Sequence, residues 1–158
     1  MNKILFILFQ IVLWATVPAI AQTNTNVNSV AELQSLVSTA STDSKFTLTD
    51  AFVADFNNQA SAISLVINSS AKITVDGANL TLKAAVGKDH FKIGGSGEGT
   101  LTIQNIILTG LIEDTDLVNG EFPKDWNPNA SKIGGGITGS FSGYLTIENC
   151  LLSKMRPA

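Results

Sequence analysis

The chain has 158 residues, enough for one domain with its core and too few for two domains of ordinary size. Only 15% of the residues are charged and the formal net charge is −3, so the chain lacks the basic field that tracks phosphates, and nucleic acid is set aside as a partner. Thr, Ser, Asn, Gly and β-branched residues are plentiful, which favours strands and turns over helices.

The chain opens like a signal peptide. Asn2 and Lys3 give a short positive start, residues 4–17 are almost wholly apolar, and Pro18, Ala19, Ile20 and Ala21 end in a small-x-small pattern. A signal peptide over residues 1–21, cleaved before Gln22, is therefore expected. The apolar run is shorter than the ~20 residues of a bilayer span, so no stable membrane span is expected after cleavage. Loss of Lys3 takes the charge from −3 to −4. The expected destination is outside the cell, either secreted or on the outer surface.

Residues 22–28 are polar and read as a flexible lead-in. Ser29 followed by Glu32 forms a capping box, and Val30, Leu33, Leu36 and Val37 share one face, which predicts a short amphipathic helix over residues 29–40. Its apolar stripe suits the first exposed layer of a stacked β-structure, or equally a sheet face.

From Lys45 onward, strand patterns come in three series. Phe46-Thr47-Leu48, Ile73-Thr74-Val75, Leu101-Thr102-Ile103 and Leu145-Thr146-Ile147 each place two side chains inward and one outward. Leu80-Thr81-Leu82, Ile106-Ile107-Leu108 and Cys150-Leu151-Leu152 follow after a bend, and residues 63–67, 91–95 and 134–138 precede. The clearest repeat is residues 99–110 (GTLTIQNIILTG) against 143–154 (GYLTIENCLLSK). Three strands per turn predict an all-β solenoid, a parallel β-helix of about three to four coils over residues 29–154, with residues 155–158 as a tail.

The first series starts at intervals of 27, 28 and 44 residues. Residues 111–132 account for the long interval, because they show no sustained alternation and contain two prolines. They form an inserted loop about 16 residues beyond the ordinary 28-residue spacing (44 − 28). Within it, Glu113, Asp114, Asp116 and Glu121 offer oxygen ligands, while Phe122 and Trp126 offer an aromatic face to a glycan or a protein. The same residues also fit a solvated surface loop pinned by Trp126. No cofactor is expected, although the acidic residues leave calcium open.

Stacking the copies sets Leu101 under Leu145, Ile103 under Ile147, Ile106 under Cys150 and Leu108 under Leu152. Asn105 and Asn149 then align at a bend, where Asn takes left-handed backbone angles and hydrogen-bonds along the stack. Asp76-Gly77 reads as a turn. Gly134-Gly135-Gly136 is followed by Ile137 and not by Lys-Ser or Lys-Thr, which removes a phosphate-loop reading. His90, without His or Cys neighbours, reads as a turn residue, and the lone Cys150 as a small interior hydrophobe, with an intermolecular disulfide as the other reading.

Ile73-Thr74-Val75-Asp76-Gly77, Gly99-Thr100-Leu101-Thr102-Ile103, and Gly134-Gly135-Gly136-Ile137 followed by Leu145-Thr146-Ile147-Glu148-Asn149 together resemble the pectate-lyase-like right-handed β-helix proteins. The likeness is to their adhesin-like and polymorphic outer-membrane branches, and the Ser29-Val30-Ala31-Glu32-Leu33 opening is similar to the start of their capping helix. The resemblance spans residues 27–154 and implies a right-handed helix. Lyases of this fold imply a carboxylate row for calcium and a basic residue, often arginine; here the single arginine is Arg156, and the series at 63–67, 91–95 and 134–138 holds no carboxylate. Paired carboxylates for hydrolysis, about 5–10 Å apart, reduce to Asp114 and Asp116. Members of these branches carry more coils, so the chain is expected to be a truncated product, to associate end to end through its open last coil, or to plug that coil with residues 154–158. The expectation is an exported module for adhesion or binding, without catalysis. The alternatives are a remnant of a polysaccharide lyase or glycoside hydrolase, and a structural fragment with no activity of its own.

Overall fold

The computed structural model describes residues 22–59, 61–84, 89–110 and 136–153. Eleven strands among them form three parallel sheets, and two helices pack against these near the start of the chain. The strands are β1 (Thr23–Val27), β2 (Ser44–Leu48), β3 (Ile63–Val66), β4 (Lys72–Asp76), β5 (Thr81–Lys83), β6 (Phe91–Gly94), β7 (Thr100–Gln104), β8 (Ile107–Thr109), β9 (Ile137–Gly139), β10 (Tyr144–Glu148) and β11 (Leu151–Ser153). The helices are α1 (Val30–Thr39) and α2 (Asp50–Asn57).

Each strand series becomes one sheet. The first gives β1-β2-β4-β7-β10, the second β5-β8-β11 and the third β3-β6-β9. From β2 onward, successive strands along the chain therefore go to different sheets, and each pairs with its counterpart one repeat away. The expected alignments of Leu101 with Leu145, Ile103 with Ile147 and Leu108 with Leu152 are direct register pairs. Ile106 and Cys150 occupy the corresponding places just before β8 and β11.

Two registers differ from the sequence reading. Phe46 pairs with Val75 rather than Ile73, and buried Ser44 takes the place opposite Ile73. A slip of two residues keeps the same side chains facing inward, so an apolar-Thr-apolar triplet fits either register. In the third series the strand begins at Ile137, opposite Phe91, three residues later than residues 134–138 implied.

The helix expected near residue 29 forms. Ser29 Oγ accepts from Glu32 N at 3.2 Å, while the Glu32 carboxylate reaches the N–H of Asn28 at 2.7 Å. Val30, Leu33 and Val37 are its buried face, and it packs on β3. Two elements run against expectation. Residues 22–28 are not a loose lead-in, because β1 pairs in parallel along all five residues of β2; backbone hydrogen bonds hold a strand whose side chains are mostly polar. Residues after Leu48 form α2, capped by Thr49, with Phe52 and Phe56 one turn apart on its buried face. Asp55 of α2 accepts from Val30 N at 2.8 Å and so fastens the two helices together.

One continuous core draws on all three sheets and both helices. Leu101, Ile103 and Leu108 are fully buried in it, whereas their counterparts one repeat later, Leu145, Ile147 and Leu152, are 42–48% exposed. Gly95 and Gly139 have φ of 113° and 106°, and a Cβ there would run into the backbone of Ile67 and Ile93 in the preceding repeat. Close contact between repeats thus depends on glycine at these corners. Ile103→Ala is expected to cost about 2–5 kcal/mol in chemical denaturation, and Ile147→Ala in the isolated protomer well under half of that.

Candidate functional site

The residues singled out for recognition, Glu113, Asp114, Asp116, Glu121, Phe122 and Trp126, lie outside the described residues, as does the signal segment 1–21. What is described is the chain on either side of residues 111–135. The chain leaves β8 at Thr109 and Gly110 and returns at Gly136 immediately before β9.

His90 joins these two points. It sits at the expected bend before β6, but its side chain is fully buried, and its ring lies nearly parallel to that of Phe56 of α2, with centroids 6.1 Å apart. Nδ1 accepts from the Gly136 N–H at 2.9 Å, which assigns the ring hydrogen to Nε2. From there it is shared between Leu82 O at 2.9 Å and Thr109 O at 3.1 Å. The backbone repeats the grip, since Gly136 O accepts from the N–H groups of His90 and Phe91, and Thr138 Oγ1 donates to Asp89 at 2.8 Å. One neutral imidazole thus holds the exit and the re-entry of residues 111–135. Burial lowers its pKa from the usual 6.5, against the opposing pull of the Leu82 and Thr109 carbonyls and nearby Asp89.

A second polar cluster lies at the corner between β4 and β5. Asp76 is almost fully buried and accepts from Lys45 Nζ at 2.6 Å, Gln104 at 3.0 Å, Asn105 at 3.1 Å and the Ala78 N–H at 3.0 Å. Asn149 in turn donates to Asn105 Oδ1 at 2.7 Å, so the row runs from Asn149 through Asn105 to a carboxylate. Asn105 and Asn149 have φ of 52° and 48°, the left-handed angles expected at this bend. Burial raises the Asp76 pKa, but the hydrogen bonds outweigh it and bring the group from 3.8 down to about 2. Asp76 is therefore much more than a turn former. Its alternation with inward Val75 gave no warning, because a buried carboxylate after a strand looks like the opening of a polar turn.

Among the described residues, no group of three His, Cys, Asp or Glu side chains converges on a metal position. An open groove of about 250 Å³ lies between Asn79, Ile106, Ile107, Asn149, Cys150 and Leu151. That is below the roughly 300–1,000 Å³ of small-molecule sites. Cys150 is half-buried there, its thiol directed at the carbonyls of Glu148 and Ile103. No helix among the described residues is long and apolar enough to cross a membrane.

The chain matches no family model, no curated protein and no solved structure.

Both polar clusters predict acid sensitivity. Asp76 has a lowered pKa, so its contribution is complete above 3.8 and is lost as pH falls toward 2. His90 is held neutral, so its contribution is complete above 6.5 and is lost as pH falls toward its lower folded value. Denaturation midpoints measured against pH are expected to show both losses, and His90→Gln to remove the one nearer neutrality while costing about 2–3 kcal/mol at pH 8. Asp76→Ala is expected to cost a similar amount at neutral pH, because Asn105 and the Ala78 N–H lose their acceptor.

Proposed function

We propose that this chain is an exported, non-catalytic binding module in which the three parallel sheets are the faces of one right-handed parallel β-helix and residues 111–132 carry recognition. The observation that carries the reading is the His90 clamp, which fixes both roots of the insertion on a regular scaffold. Binding residues concentrate on loops held by rigid elements, and an anchored insertion fits that division of labour. The right hand follows from the preference of parallel crossovers for that twist.

A glycan or a surface protein suits the aromatic and acidic composition of the insertion, with Phe122 and Trp126 as stacking faces and Glu113, Asp114, Asp116 and Glu121 as acceptors or cation ligands. Export to the medium or the outer surface rests on the pattern of residues 1–21. The likeness to pectate-lyase-like adhesins supports the same assignment. Among the described residues, the titratable groups with shifted pKa values, Asp76 and His90, are each engaged by several hydrogen bonds within the fold, which favours a structural scaffold over a catalytic one.

Binding of the exported protein to glycan arrays and extracellular-matrix proteins is the test, with residues 111–132 replaced by a short Gly-Ser linker as the comparison. The intact chain is expected to bind and the replacement to lose at least tenfold in affinity while keeping its circular dichroism spectrum. Equal binding by both would contradict recognition by the insertion, and turnover of uronate polymers would contradict the non-catalytic assignment.

A further inference from the structure

The hydrogen bonds of His90 respond unequally to a proton. Nε2–H donates to Leu82 O of β5 and Thr109 O of β8, and it can do so in either charge state of the ring. Nδ1 accepts from the Gly136 N–H, which only the neutral ring can do. A second proton therefore lands on Nδ1 and sets donor against donor across a contact of 2.9 Å.

The ring is the fixed side of that contact. Phe56 of α2 lies against its face, and Ile63 N of β3 donates to the His90 carbonyl at 2.9 Å. A charged ring also grips the Leu82 and Thr109 carbonyls more firmly, because hydrogen bonds from a cation are the stronger ones. Gly136 is the side that gives way. Its carbonyl accepts from His90 N at 2.9 Å and Phe91 N at 3.2 Å, so displacing its N–H disturbs those bonds as well. They lead directly into the β6–β9 pairing at Phe91 and Ile137.

The charged side chains on the elements around the ring are Asp50 and Asp55 of α2, Lys83 of β5, Lys92 of β6 and the adjacent Asp89, while β3, β8 and β9 carry none. Burial opposes protonation, and among these charges Asp89 is the one that favours it. Asp89 also accepts from Thr138 Oγ1 of β9 at 2.8 Å, so drawing it toward a charged ring loosens a second tie to the same strand.

We propose that His90 is an acid-operated latch: a proton on Nδ1 releases Gly136 and the start of β9 from β6, while β5 and β8 stay joined to the ring. The opening is local and one-sided, unlike the general loss of stability in acid. Burial holds the closed ring below its usual pKa of 6.5, so the opened form binds the proton more tightly. The open population then rises by up to about tenfold for each pH unit below 6.5, until the closed ring itself titrates. Nothing in the latch depends on what residues 111–132 bind. It is read by amide exchange and the proposed function by binding, so either can fail without the other.

Amide hydrogen exchange followed by nuclear magnetic resonance on the whole chain, from about pH 7.5 to about pH 5, is the test, with imidazole nitrogen shifts reporting the charge of the ring. After correction for intrinsic exchange, protection of the His90, Phe91 and Gly136 N–H groups is expected to fall by up to about tenfold per pH unit below 6.5. Protection of the Ala84 and Ile107 N–H groups, which join β5 to β8, is expected to stay constant. His90→Gln keeps a donor and an acceptor without titrating and is expected to abolish the pH dependence. Asp89→Asn keeps an acceptor for Thr138 without the charge and is expected to move the onset to lower pH. Constant protection at Gly136 across the range overturns the latch, as does a simultaneous loss at all five amides. So does an unaltered pH dependence in His90→Gln or an unmoved onset in Asp89→Asn.

Discussion

Everything else in this structure depends on parallel, in-register pairing between successive repeats. Hydrogen bonds along β4, β7 and β10 set each residue beside its counterpart, so Ile73, Leu101 and Leu145 form one row and Val75, Ile103 and Ile147 another. An aliphatic side chain in such a row is buried by copies of itself before and after. The arrangement needs little sequence variety, but any residue at a corner must be compatible with the backbone of the neighbouring repeat. Gly95 and Gly139 meet that demand by having no side chain, and Asn105 and Asn149 meet it with left-handed angles and a side-chain hydrogen bond along the stack.

The same constraint explains the two buried polar clusters. A row that stacks like on like has no place for a charge unless donors come from several repeats at once, and Asp76 draws them from Lys45, Gln104 and Asn105 on neighbouring strands. His90 solves a related problem where the repeat is interrupted. Residues 111–135 break the spacing between β8 and β9, and the imidazole bridges the break by bonding Thr109 on one side and Gly136 on the other. The chain is therefore tied to the core on both sides of residues 111–135.

Much of this was legible in the sequence, for physical reasons. Rows of identical character at near-constant spacing are what stacking requires, so the three series, the 44-residue interval and the Asn105–Asn149 pairing could be read directly from the sequence. The helix at Val30 announced itself through Ser29 and Glu32. What escaped was whatever the backbone or a distant partner decides. β1 is polar and gains its strand from pairing with β2, and α2 is barely two turns long, with Thr49 and the Phe52–Phe56 spacing as its only signals. The two-residue slip between β2 and β4 preserves the inward face and is invisible to any pattern of alternation. The roles of His90 and Asp76 come from groups up to 46 residues away in the chain, which no local motif reveals.

The central claim is that the 44-residue interval is one repeat with an insertion, so that Thr102 and Thr146 are direct neighbours on β7 and β10. Cysteines at in-register positions of adjacent strands fall within the roughly 4.4–6.8 Å Cα separation of a disulfide. The decisive measurement is oxidation of the Thr102→Cys, Thr146→Cys double variant in a Cys150→Ser background, with the linked peptides identified by mass spectrometry. The account predicts an intrachain 102–146 cross-link, and none in a control pairing position 74 with 146, two strands apart. A chain that forms the 74–146 link as readily, or fails to link 102 with 146, would contradict it.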